Sequence, residues 1–394
     1  MNFKEFVRKY AFRIIVFLIM IGFLVYYFYG LDFKGSYQVL TNASAIYLLI
    51  ALLFMLISAA VKAYRFYILL KPDYPNLKFS KFLLPYLVGY GFSVLGPFKT
   101  GELASVEINK RNLNISRSTS FAALAFFRVV DVVVVLVFFI LALGITVPKI
   151  ITNTITINPE LASNIQIATN IVFYLAITGT IVLAVVLFVP PIGRFFLKII
   201  TKIIEKISRK ASNWLNTTIE PALNEYYKSL KFLFSKWMIA LIVISTTVFR
   251  WILEFYSLKF TIDAFFVNTF IPLSFPVSLS DFYSSKIALI GMSSEISLID
   301  AASVISIALL IGLITFVPAG VGTGTITTRV LLIGLLIEQS IADASILYQM
   351  LIGIILTLLL AAIASPFLRD KKAEKSIKDE EETMEEENII ESAS

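Results

Sequence analysis

Six uninterrupted apolar runs, over residues 12–29, 45–61, 118–147, 165–189, 237–260 and 344–367, leave this chain one kind of solvent for most of its length. At 1.5 Å per helical residue, such runs cross most or all of a hydrocarbon layer roughly 30 Å thick. Lipid offers the backbone no hydrogen-bond partners, so each run has to close its own bonds as an α-helix. The expected fold is therefore all-α and polytopic. Composition agrees: 58% of the 394 residues are apolar and 15% charged, too few polar groups to cover a soluble core of this size. The first run follows Lys4, Arg8, Lys9 and Arg13 and has no small-x-small cleavage site after it, so it is read as an anchor rather than a signal peptide.

Two further apolar regions are broken. Phe82 to Phe98 contains Pro85, Gly89, Gly91, Gly96 and Pro97 before running into Lys99-Thr-Gly-Glu102, and Ala302 to Ile337 is split by Val317-Pro-Ala-Gly-Val-Gly-Thr-Gly-Thr325. Proline and glycine at this density end a helix, and unpaired backbone at membrane depth survives only inside protein or beside water. Residues 82–117 and 302–338 are accordingly read as two re-entrant hairpins of half-helices.

With the N-terminus inside and each hairpin returning to its own side, the inner segments 1–13, 62–117, 190–236 and 369–394 hold 27 of the 34 Lys and Arg residues. Outer loops keep Lys34, Lys149 and Lys286, as the positive-inside rule requires. Both termini are then cytoplasmic, although opening both hairpins into crossings gives the same sidedness. The order span, span, hairpin, span occurs twice, and the second copy is upside down. The expected organisation is an inverted repeat of a first membrane half (1–147) and a second (148–368), followed by a disordered acidic tail (369–394). The loop 190–236 carries Arg194, Lys198, Lys202, Lys206, Arg209 and Lys210 among aromatic and isoleucine residues. It suits a basic amphipathic helix on the inner leaflet, or else a solvated cytoplasmic one.

The chain has neither cysteine nor histidine, which removes thiolate and imidazole metal sites, disulfides and imidazole bases. No cofactor is expected. The formal charge of +7 sits beside apolar runs, which points to anionic headgroups rather than nucleic acid.

A charge retained in the bilayer costs roughly 2.5–3.5 kcal/mol even on mild scales and asks for a partner or a purpose. Arg128 and Asp131 lie three apart, and Arg250 and Glu254 four apart, so each pair shares a helical face and can neutralise itself. These four form an expected polar core. Lys99, Glu102 and Arg329 have no close sequence partner and flank the helix breaks. Together with backbone amides at Gly320 and Gly322, Lys99 and Arg329 can bind a phosphate while Glu102 balances charge; the bland alternative is that both cations snorkel to the interfaces.

Gly89-Tyr-Gly-Phe-Ser-Val-Leu-Gly-Pro-Phe-Lys-Thr-Gly-Glu102, Arg128-Val-Val-Asp131, Trp251 with Glu254, and Pro318-Ala-Gly-Val-Gly322 resemble, in order, the motifs of the transmembrane region of lysylphosphatidylglycerol synthases and their flippase-like relatives. The chain departs from that pattern at Ser93, at Phe127 and at Thr323 to Ile326. The resemblance implies a plasma-membrane transporter that moves an anionic phospholipid or lipid-linked sugar phosphate between leaflets. Two other readings stand beside it: a membrane-embedded transferase using Glu102 or Asp131 as base, and a non-catalytic partner of a separate soluble transferase.

Overall fold

A computed structural model describes residues 29–95, 101–155, 159–207, 237–269, 296–314 and 323–367, with single positions between 216 and 231. Every regular element among them is helical: α1 Phe33–Thr41, α2 Ala45–Leu70, α3 Phe79–Leu95, α4 Gly101–Leu113, α5 Arg117–Ile155, α6 Pro159–Phe188, α7 Pro190–Ile207, α8 Trp237–Thr269, α9 Leu298–Ile314, α10 Thr323–Gly334 and α11 Gln339–Ala364, with a 3₁₀ turn at Ser365–Phe367. The protein is a polytopic all-α membrane protein. Four helices combine the length and apolarity of a span, at Ala45–Leu70, Arg117–Thr154, Trp237–Phe266 and Gln339–Ala364. The expected crossing at 165–189 falls on the 30-residue α6. The expected first span, the apex of each hairpin and the acidic tail lie outside the described residues.

Helix ends differ from the hydropathy reading in a consistent way. The run expected to stop at 61 continues to Leu70, the one expected to stop at 147 continues to Ile155, and the one expected to stop at 260 continues to Thr269. Two of the three extensions take in cations: Lys62 and Arg65 on α2, Lys149 on α5. The hydropathy reading had counted all three in loops. A carboxylate on another helix faces each of them, and this neutralisation lets the helix carry them on without a break.

The helices of the two hairpin regions lie against one another. On α3, a Cβ at Gly89 would stand 2.8 Å from the Ser105 Cα of α4, so only glycine lets the two backbones come this close. On the other side of α3, a Cβ at Gly91 would run into the Ala361 Cβ of α11. The second hairpin region, α9 with α10, packs instead on α5: Thr146 of α5 donates to Asp300 of α9 at 3.0 Å, and Asn153 of α5 donates to the Gly334 carbonyl of α10. Each hairpin region thus rests on the last long helix of the other half. The two equivalent helices α2 and α8 pack on each other across the middle, where Ser257 donates to the Ala51 carbonyl at 3.1 Å and Phe54 stacks on Tyr256.

Lipid is as apolar as leucine, so these contacts rest on close packing and small residues rather than on escape from water. Ala51, Ala59 and Ala63 supply the smooth face of α2. The buried apolar side chains form two main bodies: one around α3, α4 and the start of α5 with Phe66, Phe82 and Phe127, the other around α9, α10 and the end of α5 with Phe139, Ile150 and Leu332.

Gly91→Ala should lower thermal stability in detergent by about 1–3 kcal/mol through overpacking. Adding Ala361→Gly should restore much of that loss, because it removes the Cβ that the new methyl would run into and leaves only ordinary contacts with the Thr357 carbonyl oxygen and the Ala361 Cα. A Gly91→Ala protein that melts like the wild type would contradict this contact.

A buried charged cavity as the candidate functional site

Three long helices carry ionisable residues at helical spacing, each set on one face: Lys62 and Arg65 on α2, Arg128 and Asp131 on α5, Arg250 and Glu254 on α8. The faces turn toward a common cavity of about 330 Å³ that is closed on its remaining sides by α3, α4 and α11. Lys62, Arg128, Asp131, Arg250 and Glu254 all stand on its wall, with Tyr86, Tyr90 and Gln349.

The sequence reading expected Asp131 to pair with Arg128, and Glu254 with Arg250, each within its own helix. The structure corrects both pairings. Arg65 grips Asp131 with two bonds, Nη1 to Oδ1 at 2.7 Å and Nη2 to Oδ2 at 3.1 Å, and Nη1 also donates to Thr247 Oγ1 at 2.6 Å. The guanidinium lies 4.4 Å from the centre of the Phe127 ring. Glu254 takes Lys62 instead, at 2.9 Å from Nζ to Oε1, and the same oxygen accepts from Ser58 at 2.8 Å. Fork-shaped bidentate pairing between helices is geometrically better than an i,i+3 reach along one helix, where the two planar ends cannot face squarely.

Arg250 is left in a different position. Its Nε is 4.0 Å from Asp131 Oδ1, beyond hydrogen-bond distance, and the guanidinium lies 3.7 Å from the Trp251 ring centre. Its Nε and Nη2 are buried and meet no hydrogen-bond acceptor among the described residues. Arg128 sits beside the Phe127 ring at 5.2 Å. Asp131 and Glu254 on the cavity wall are thus taken by Arg65 and Lys62, while Arg250 keeps two buried nitrogens without an acceptor among the described residues. Buried N–H donors of a guanidinium left unmet are costly, so such a site is stabilised by an anion that satisfies them.

The residues expected at the hairpin breaks are distributed otherwise. Lys99, Gly320 and Gly322 lie outside the described residues, and Glu102 falls in the first turn of α4, its side chain likewise undescribed. Arg329, which has no close partner in sequence, was expected to share a phosphate site with Lys99. The structure places it on α10 in an ion pair with Asp343 of α11 at 3.0 Å, donating also to the Gly30 carbonyl, and it is absent from the cavity wall. The physical reason is Asp343, fully buried beside it, a tertiary partner fourteen positions away.

Sequence reasoning missed Lys62 and Arg65, assigned to a cytoplasmic loop, and also Asp300 and Asp343. One signal was present: Phe66-Tyr-Ile-Leu-Leu70 resumes an apolar run directly after the two cations, which a true loop has no reason to do. Among the described residues no group of three carboxylates forms a cluster fit for a metal.

Asp131→Asn leaves Arg65 and Arg250 without their counter-charge and should cost about 3–5 kcal/mol of stability, read as a large fall in melting temperature. The double replacement Arg65→Met with Asp131→Leu should recover most of that loss. A double variant as unstable as the sum of its singles would show that the pair is not the coupled unit described here.

The motif residues Arg128, Asp131 and Glu254 thus converge on one cavity, with the Trp251 ring against Arg250, and comparison with known families places them in a single continuous match. The family model described as the lysylphosphatidylglycerol synthase TM region matches residues 11–364. Comparison with curated proteins gave no match. Spanning nearly the whole chain, the family match shows that this protein belongs to the lysylphosphatidylglycerol synthase transmembrane-region family.

Proposed function

We propose that this protein is a flippase-like carrier that moves an anionic phospholipid or a lipid-linked sugar phosphate between the leaflets of the plasma membrane, with both termini on the cytoplasmic side. The observation that carries the reading is the buried Arg250 on the cavity wall, with two nitrogen atoms open to an acceptor. A phosphate entering from the membrane meets Arg250 and Arg128 on facing helices and Lys62 above the Glu254 pair. Guanidinium groups suit the oxygens of a phosphate, since their planar donors match two at once. The acyl chains stay in lipid while the headgroup crosses in a site that replaces its lost hydration.

Release needs the site to weaken from one side at a time. The exchanged packing of the two hairpin regions supplies a geometry for this. Rocking α3 and α4 on α11 changes access from one face, and rocking α9 and α10 on α5 does so from the other, the scheme by which inverted repeats alternate access. Glu254 and Asp131 act as internal counter-ions: Lys62 is held while the site is empty and freed to help bind the phosphate.

A lipid-modifying transferase needs a carboxylate free to take a proton. Asp131, held by two bonds from Arg65, is badly placed for that role, which favours transport over chemistry. A separate soluble transferase remains a partner to be sought on the transport reading, as the supplier or consumer of the carried lipid.

The test is leaflet exchange in liposomes containing the purified protein and fluorescent phosphatidylglycerol, a polyprenyl sugar phosphate, or phosphatidylcholine as the neutral control. Exchange of the anionic lipids should exceed that of the neutral one. Arg250→Gln should slow it about tenfold to a hundredfold, the loss of one charge-assisted hydrogen bond of roughly 1.5–3 kcal/mol. Equal exchange of neutral and anionic lipids, or a change in lipid mass, would overturn the proposal.

A further inference from the structure

A second cationic recess lies away from the cavity, where α7 leaves α6. It has a volume of about 930 Å³ and is walled by Arg194 and Lys198 of α7 and by Lys228 and Lys231 of the returning segment, with Glu220 as the one carboxylate among the described lining residues. The recess is held in shape by Tyr227, whose hydroxyl donates to the Val186 carbonyl of α6 at 3.1 Å. Tyr227 reaches that carbonyl only because position 193 is glycine: a Cβ there would occupy the site of the hydroxyl.

At 100° per residue, α7 has three faces. Gly193, Leu197, Thr201 and Ile204 turn to the protein, with Thr201 bonded to its own helix. Arg194, Lys198 and Lys202, four apart, form a cationic stripe beside it. Phe196, Ile199, Ile200 and Ile203 form a third, apolar stripe, and it is exposed: Ile203 at 55% and Ile200 at 46%. A soluble acidic protein would satisfy the cations but leave no reason for this uncovered apolar face. A bilayer surface satisfies both, since the apolar stripe sinks below the headgroups and the cations stay level with them.

We infer that the recess between α7 and the described residues Glu220, Tyr227, Lys228 and Lys231 is a binding site for the phosphate headgroup of an anionic lipid, held at the membrane surface and separate from the translocation cavity. The apolar stripe sets the depth of α7 in the leaflet, and Arg194, Lys198, Lys228 and Lys231 then meet the phosphate from two sides. This inference goes beyond the transport reading, because it needs no movement of lipid across the bilayer.

Binding of dioctanoyl phosphatidylglycerol to the full-length protein in phosphatidylcholine nanodiscs tests it, with inorganic phosphate and glycerol 3-phosphate as headgroup-only competitors. The combined variant Arg194→Gln, Lys198→Gln, Lys228→Gln, Lys231→Gln should lose at least tenfold in affinity at this site, and Lys228→Glu alone should lose part of it. The single reversal keeps the test decisive if the combined variant folds poorly. Arg250→Gln should retain the binding, so failure of the transport proposal and failure of this one read differently. Wild-type affinity in both recess variants would overturn the inference, as would binding lost in Arg250→Gln. Competition by inorganic phosphate at the concentration of the lipid would mark a free-anion site and overturn the lipid assignment.

Discussion

The bidentate contact of Arg65 with Asp131 is the constraint on which the middle of this protein turns. It ties α2 to α5, and the extra bond to Thr247 brings α8 into the same knot. In a bilayer, apolar surfaces slide past lipid and past each other at similar free energy, so directional polar contacts and close steric fits have to select the register of the helices. Here one guanidinium does so for three of them. It also engages both oxygens of Asp131, and Arg250, 4.0 Å from one of them, stands on the cavity wall with donors unmet.

The rest of the site follows from this pairing. Asp131 and Glu254 are taken by Arg65 and Lys62, and the open donors of Arg250 face the cavity that α3, α4 and α11 help to line. On the opposite half the balance is different. Lys149 is matched by Asp300, Arg329 by Asp343 and Lys259 by Asp263, and dense apolar packing around Ile150, Leu332 and Ile341 fills the space between. One hairpin region thus faces a charged opening, while its counterpart is sealed by matched pairs. That asymmetry between equivalent halves is what the proposed carrier needs in a state open to one side.

Hydropathy made the architecture legible because the cost of exposing polar backbone to lipid is large and local, so α2, α5, α8 and α11 were visible as uninterrupted apolar runs. The breaks near Pro97 and Val317-Pro318 separated α3 from α4 and α9 from α10 for the same reason. Charge partners were not legible. The sequence places Arg128 three residues from Asp131, and that nearness promised a pair; the actual partner, Arg65, is 66 positions away and known only once the helices pack. Lys62 and Arg65 were assigned to a loop because hydropathy scores a cation by its own cost and knows nothing of the carboxylate waiting opposite. Arg329, without a close partner in sequence, likewise meets Asp343 only in the fold. Four of the expected polar-core residues do gather at one cavity, because the face of a helix is written in its spacing even when the partner across it is not.

The central claim is that the cationic cavity between α2, α5 and α8 holds the phosphate of a lipid. The most direct measurement is an experimentally determined map of the protein in nanodiscs containing brominated phosphatidylglycerol, in which bromine marks the acyl chains. The account predicts a headgroup phosphate in the cavity, hydrogen-bonded to Arg250, with the bromine signal trailing out between helices into the bilayer. Headgroups confined to the membrane surface, with the cavity filled by side chains drawn onto Arg250 or by acyl carbon alone, would contradict it.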